Sequence, residues 1–370
     1  MLFLDILFYA FCIIVAIQVL FYSGIFTPFT VSKPKKSNRK NIPISVLICA
    51  KNESENLKTF LPLIIEQEYS NFEIILIDDS SSDDTLDVMK EFKSKHDNIK
   101  IVEVKAIDAF WGNKKYALTL GIKAASNNFL LFTDADCKPT SKHWITEMSS
   151  HFSNSKSIVI GYSGYEHIKN SFLNKLIRFE TLMTAVQYFS YARIGLPYMA
   201  VGRNLAYRKE LFFNNSGYMS HMNIRSGDDD LFINQVANKE NTALCFSKDS
   251  FTKTQPKTTF KDWINQKRRH VSTAKHYKFK HKFLLSLFYF SQFFFWVLAI
   301  LLMSFLFRWE FVSVLILLRF ISLYIGLIYG AKQFNEKMLI PFFPVLDLFL
   351  VSTQLVIFIS NLISKPVSWK

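Results

Sequence analysis

Four apolar runs long enough to cross a bilayer bracket this chain. They leave its middle as the stretch free to fold in water. Residues 2–26 are almost wholly apolar, with Asp5 and Gln18 as the main exceptions, and further runs cover about 283–307, 311–330 and 339–363. A membrane helix needs about 20 apolar residues. The opening Met1-Leu2-Phe3-Leu4-Asp5 has no basic residue, so the first run reads as an uncleaved anchor rather than a signal peptide. The last run carries Pro341, Pro344 and Asp347, which leaves a re-entrant or interfacial course open beside a full crossing.

Basic residues set the expected orientation. Lys33, Lys35, Lys36, Arg39 and Lys40 follow the first run, and Lys267, Arg268, Arg269, Lys275, Lys278, Lys280 and Lys282 precede the second. Both clusters flank the middle region, which is therefore expected in the cytoplasm of a multi-pass protein of the cell (inner) membrane. Four crossings then place both termini on the far side, and Lys365 and Lys370 oppose that arrangement. The net charge of +14 is concentrated beside the apolar runs. It fits an anionic lipid surface better than nucleic acid, for which no binding module is present. Cys12, Cys49, Cys137 and Cys245 form no CxxC pair, so neither a zinc site nor a disulfide framework is expected.

After a polar, basic linker the pattern alternates. Strands are expected at 44–50, 73–77, 99–104 and 129–133, and helices at 54–67 with Ser54 as N-cap, at 82–95 and at 113–125. This order predicts an α/β fold with a mostly parallel sheet. In such sheets ligands lie beyond the carboxyl ends of the strands. The first strand ends in Lys51-Asn52-Glu53, the second in Asp78-Asp79 and the fourth in Asp134-Ala135-Asp136. Two carboxylates two residues apart on an extended segment point the same way. Mg²⁺ or Mn²⁺ bound by one or two such carboxylates plus substrate phosphates would relieve their repulsion. The stretch 171–195 is too interrupted by Lys175, Arg178, Glu180 and Arg193 to span, and reads as an interfacial helix or a core helix.

With these pieces placed, residues 43–275 resemble the family 2 glycosyltransferases, which use a Rossmann-like GT-A nucleotide-sugar domain. The resemblance rests on "SVLICAKNESENL" (45–57), "ILIDDSSSDDT" (75–85), "NKKYALTLGIKAA" (113–125), "FTDADC" (132–137) and "SGDDDLFINQVA" (226–237). It implies nucleotide-sugar contacts from Glu53, Asp78, Asp79, Lys114 and Asp134, and a metal held by Asp134 and Asp136. The acidic triplet occupies the place of the catalytic base. Counting back from Leu231 selects Asp228, and counting forward from Gly227 selects Asp229, with Asp228 preferred. "VGRNLAYRKELF" (201–212) resembles the acceptor-side segment around Gly202 and Asn204. "QKRRH" (266–270) matches Gln-x-x-Arg-Trp at Gln266 and Arg269, but His270 replaces the tryptophan, so processive polymer synthesis is in doubt.

The implied organisation is a membrane helix (1–27), a basic linker (28–42), a GT-A domain (43–255), a basic juxtamembrane helix (256–282) and three further membrane helices (283–363). The implied activity is inverting transfer from a UDP- or GDP-sugar to a hydroxyl of a lipid-linked or cell-envelope glycan acceptor. The alternative is an inactive nucleotide-sugar-binding scaffold of a membrane glycan-assembly complex. A nucleotidyltransferase would want a Gly-rich basic loop after the first strand, where "AKNESEN" stands instead.

Overall fold

A computed structural model describes residues 2–35, 38, 40–105, 114–224 and 226–364 of the chain. Lys36, Arg39, Asn113, Lys365 and Lys370, used above, lie outside them. The chain opens with α1 (Leu2–Val19), a π-helical segment Leu20–Phe26 and α2 (Thr27–Thr30). Then come β1 (Ile44–Ala50), α3 (Ser54–Ile65), β2 (Phe72–Asp79), α4 (Thr85–Lys95), β3 (Ile99–Val104), α5 (Lys114–Ala124) and β4 (Phe129–Asp134). A mixed part follows: β5 (Cys137–Pro139), α6 (Trp144–Ser150), β6 (Ile158–Ile160), β7 (Ser163–Tyr165), α7 (Phe172–Arg193), β8 (Leu205–Arg208), α8 (Lys209–Asn214), α9 (Asp230–Val236), β9 (Thr242–Leu244) and β10 (Thr252–Thr254). The chain closes with α10 (Phe260–Val271), α11 (Phe279–Ser304), α12 (Trp309–Gln333) and α13 (Phe343–Ile363).

By internal contact the chain forms two compact units. One contains 34–166 and 195–256, and the other contains 1–33, 167–194 and 257–367. The first is built on a seven-stranded sheet in the order β3-β2-β1-β4-β8-β6-β9. Register is fixed by parallel pairs such as Ile44↔Phe72 and Ile44↔Phe129. Only β8 runs against the rest, antiparallel to both β4 and β6. Strands buried on both faces read as continuous apolar runs, and β1 and β2 bury nearly every side chain. A small second sheet, β5-β10-β7, stands beside it.

Two expected boundaries move for a chemical reason. Ser54 is not the N-cap of α3. That place belongs to Glu53, and the Ser54 N–H points to Asp83 Oδ2 at 3.4 Å. The fourth helix starts at Thr85 rather than 82, because the Asp83 carboxylate takes the Thr85 N–H at 3.0 Å and so closes a turn first. β2 runs two residues further than expected, which makes Asp78 and Asp79 buried strand residues.

The second unit is helical. Four stretches, Leu2–Thr30, Phe279–Ser304, Trp309–Gln333 and Lys337–Ile363, are long and apolar enough to cross a membrane. Close approach is set by glycine: a Cβ on Gly326 would lie 3.0 Å from the Tyr22 carbonyl oxygen, and one on Gly330 3.1 Å from Thr30. Small residues spaced by four let helix backbones meet in this way.

The same unit buries an ion pair, Arg319–Asp347, at 2.8 Å with both side chains inaccessible. Gln292 and Trp296 donate to the Asp347 carboxylate at 3.0 and 2.9 Å. Gln18 accepts from Arg319 at 3.2 Å and donates to Ser291 at 2.6 Å. The guanidinium also lies over the Phe295 ring at 4.7 Å. Residues that interrupt the apolar pattern at Gln18 and Asp347 thus find one another.

Removing one partner of such a pair strands a buried charge and costs about 3–5 kcal/mol, whereas replacing both by apolar groups is close to neutral. Thermal unfolding in detergent should therefore show Asp347→Ala well below wild type, and Arg319→Met with Asp347→Leu nearer to it. Equal losses in the single and the double variant would contradict the pairing.

Candidate active site

The carboxyl edge of the sheet carries two groups of acids. The first lies between the ends of β1 and β2. Asn52 and Ser80 both adopt left-handed backbone, with φ of 56° each. The two turns brace each other: the Ser82 N–H donates to Asn52 Oδ1 at 2.8 Å, and the Glu53 N–H donates to Thr85 Oγ1 at 2.8 Å. Glu53 is half-buried and accepts from the Asn56 amide at 2.5 Å. Asp78 accepts the Ser81 N–H at 3.3 Å. Burial raises the Asp79 pKa, with Asp78 adding to the rise and Lys51 opposing it.

The second group forms a pocket whose lining includes Lys114, Asp134, Gly202, Tyr218, Asp228 and Asp229. α5 begins where β4 ends, so Lys114 reaches Asp134 Oδ1 at 2.7 Å and Asp228 Oδ2 at 3.4 Å. Burial opposes the charge on Lys114, but the two carboxylates outweigh it and hold the pKa well above that of an ordinary lysine. Asp229 is the N-cap of α9. Its Oδ2 accepts the Gly202 N–H at 2.6 Å and its Oδ1 the Asp230 N–H at 2.7 Å. A Cβ at position 202 would stand 3.2 Å from that same Oδ2, so a side chain there would crowd the carboxylate. Burial, followed by the charges of Asp228 and Asp230, pushes the Asp229 carboxyl up to about 7.

Asp134 closes β4, and Asp136 lies in the turn to β5. The turn, rather than an extended segment, brings them together. Donor atoms of Asp134, Asp136 and Cys137 all lie within 4.8 Å of one another. Cys137 is fully buried, and its thiol donates to Asp136 Oδ1 at 3.3 Å. Burial and the two aspartates hold that thiol protonated. The donors left are carboxylate oxygens, the ligand type that suits Mg²⁺ or Mn²⁺.

Other expected residues are placed differently. Asn204 is fully buried. Its Nδ2 donates to the Tyr162 and Ser250 carbonyls at 2.7 Å each, and its Oδ1 accepts from Trp144 at 3.0 Å. It fastens three segments together and offers no exposed atom to an acceptor. Gln266, Arg269 and His270 stand on α10 of the helical unit, where partial burial lowers the Arg269 pKa.

One residue inside the 113–125 motif was given no role by the sequence. Lys115, next to Lys114, is fully buried, and its ammonium donates to the carbonyls of His221 and Ile224 at 2.7 and 2.9 Å. Burial lowers its pKa to about 8 against the pull of Asp228, Asp230 and Asp229. It ties the start of α5 to the turn that leads into the acidic triplet. Only its position at the first turn of an otherwise apolar helix face hinted at burial.

The mostly parallel sheet with acids gathered at its carboxyl edge is the Rossmann-like GT-A fold of its solved neighbours. Residues 45–225 match the model of glycosyl transferase family 2, and the chain carries a family 2 glycosyltransferase domain. A poly-beta-1,6-N-acetyl-D-glucosamine synthase of Staphylococcus epidermidis is 37% identical over 110 residues, 30% of this chain and 26% of that protein. The Escherichia coli UDP-Glc:alpha-D-GlcNAc-diphosphoundecaprenol beta-1,3-glucosyltransferase WfaP is 28% identical over 133 residues, 35% of this chain and 48% of that protein. The matched stretches therefore span less than half the length of either relative. Among solved structures, a mannosyltransferase of Pyrobaculum calidifontis in complex with GDP-Man and Mn²⁺ shares the fold. It has a TM-score of 0.59 at 16% identity, covering 90% of this chain and 99% of that one.

Lys115→Met removes a donor from both carbonyls; that of His221 keeps the Ile224 N–H, whereas that of Ile224 loses its bond to the lysine, which costs about 1–3 kcal/mol. Denaturant unfolding of the full chain should show a loss of that size. An unchanged midpoint would mean that the lysine does not hold the turn.

Proposed function

We propose that the chain is a metal-dependent, inverting glycosyltransferase that moves a sugar from a nucleoside-diphosphate donor to a hydroxyl of a membrane-associated, lipid-linked or cell-envelope glycan acceptor. The single observation that carries this reading is Lys114 standing between Asp134 and Asp228, which joins a diphosphate-type site to an acidic triplet at one sheet edge. The four apolar helices support a membrane-associated acceptor. The basic flanks support a sheet unit in the cytoplasm, at the inner membrane.

Glu53, Asp78 and Asp79 are assigned to the nucleoside. Asp134 and Asp136 would hold Mg²⁺ or Mn²⁺, which neutralises charge developing on the leaving diphosphate. Lys114 adds a second positive charge to the same group. Gln266 and Arg269 remain candidates for diphosphate contact, and His270 for the acceptor side. Gly202 shapes the acceptor side through its contact with Asp229.

For the base we take Asp229 over Asp228, against the count back from Leu231. Two backbone N–H groups fix its orientation, and its pKa of about 7 suits a group that must accept a proton near neutrality. Asp228 instead positions Lys114. In the reaction, Asp229 takes the proton of the acceptor hydroxyl as the oxygen attacks the anomeric carbon. The bond from that carbon to the diphosphate breaks, and the nucleoside diphosphate leaves with the electron pair. One direct displacement inverts the configuration.

Three outcomes follow for sugar transfer by the full chain in membranes, read as nucleoside diphosphate released and product formed. Asp229→Asn should stop transfer and spare donor binding, whereas Asp228→Asn should mainly weaken donor use; the opposite pattern returns the base to Asp228. With Asp229 as base, kcat/KM should rise with pH through about 7. Asp228→Asn, which removes a neighbouring negative charge, should move that rise to lower pH. Chelation or Asp136→Asn should abolish turnover, with Mn²⁺ or Mg²⁺ restoring the chelated wild type alone. Activity that survives chelation would exclude the metal.

A further inference from the structure

We propose that α13 does not cross the bilayer: it enters and leaves on the face where the first span ends, so that, among the described helices, α1, α11 and α12 span and α13 does not. The proposal is independent of the reaction assigned above.

The end of the first span marks that face. α7 lies level with it, Phe189 stacking on Phe29 at 5.1 Å. α1 and α11 run antiparallel, with Phe11 stacked on Phe295 at 5.8 Å and Phe26 against Phe288 at 5.2 Å. The start of α11 thus lies level with the end of the first span. α12 returns to the same level, where the Cβ position of Gly330 would lie 3.1 Å from Thr30.

α13 is tied to this face from both ends. At its entry, Glu336 pairs with Arg178 of α7, and Phe343 packs on Phe179 with ring centroids 5.6 Å apart. Phe172, the first residue of α7, meets Phe349 at 4.9 Å. At its end, Asn361 accepts from Arg268 Nε of α10 at 3.0 Å and donates back to the Arg268 carbonyl at 3.1 Å. Arg268 also donates to the Ser364 carbonyl at 2.7 Å. α10 is in turn bound to α7 through Lys267–Glu180 at 2.5 Å. A helix of 21 residues is about 30 Å long. One that crossed would carry Asn361 to the opposite face, away from α10.

The local chemistry agrees. Pro341 lies in the 3-10 turn Lys337–Phe342 and Pro344 in the first turn of α13, where missing N–H groups are tolerated. Irregular backbone at membrane depth needs protein around it, and Leu339 and Phe343 are fully buried. Asp347 then anchors the start of α13 to α11 and α12 through Trp296, Gln292 and Arg319.

Single cysteines placed in the full chain test this, with wild type as the blank and a membrane-impermeant maleimide applied to sealed cells and to inverted vesicles. Lys93→Cys reports the sheet unit, Phe305→Cys the turn between α11 and α12, and Ser364→Cys the end of α13. The expected result is that Ser364→Cys labels with Lys93→Cys and opposite to Phe305→Cys. An epitope appended after Lys370, probed by antibody in the same preparations, should report the same side. Labelling of Ser364→Cys together with Phe305→Cys, or an epitope on that side, would overturn the proposal and restore a fourth crossing.

Discussion

The candidate site depends on one buried cation. Asp134 and the Asp228–Asp229 pair come from two separate segments, and carboxylates brought this close repel unless a positive charge intervenes. Lys114 supplies it by contacting both Asp134 and Asp228. Its position follows from the fold: α5 starts at the carboxyl edge of the sheet, so its first residue points into the region where β4 ends. A bound divalent ion and a diphosphate would rearrange this balance, since the ion competes with Lys114 for Asp134. The lysine's charge is thereby held where a leaving group's negative charge would develop.

Two neighbouring lysines divide the work around it. Lys114 faces the carboxylates, while Lys115 is spent on two backbone carbonyls of the turn before the triplet. Asp229 is fixed by backbone N–H groups, one of them from Gly202, where a side chain would crowd its carboxylate. Backbone and lysine together hold the acidic triplet in a register that spelling alone leaves ambiguous.

The repeating strand–helix segments were legible because long apolar runs and polar strand ends are local signals. β1 and β3 occupy the residues expected for them, 44–50 and 99–104. The reversed strand β8 was not legible. It is four residues long and lies inside a stretch read only as an acceptor segment. Asn204 looked functional for the same reason, yet its amide is consumed by three distant partners that no local pattern announces. The pairing of Asp347 with Arg319 was likewise hidden, because hydropathy registers each as a defect in its own helix. The start of α4 shifted because the Asp83 carboxylate closed a turn first.

The most direct test of the central claim is equilibrium binding of UDP and GDP to the purified full chain, titrated with and without Mn²⁺. If acids from separate strands hold a metal against a diphosphate, at least one of the two nucleotides binds tightly with the ion and much more weakly without it. Binding that ignores the ion, or no binding of either nucleotide in its presence, would contradict the account.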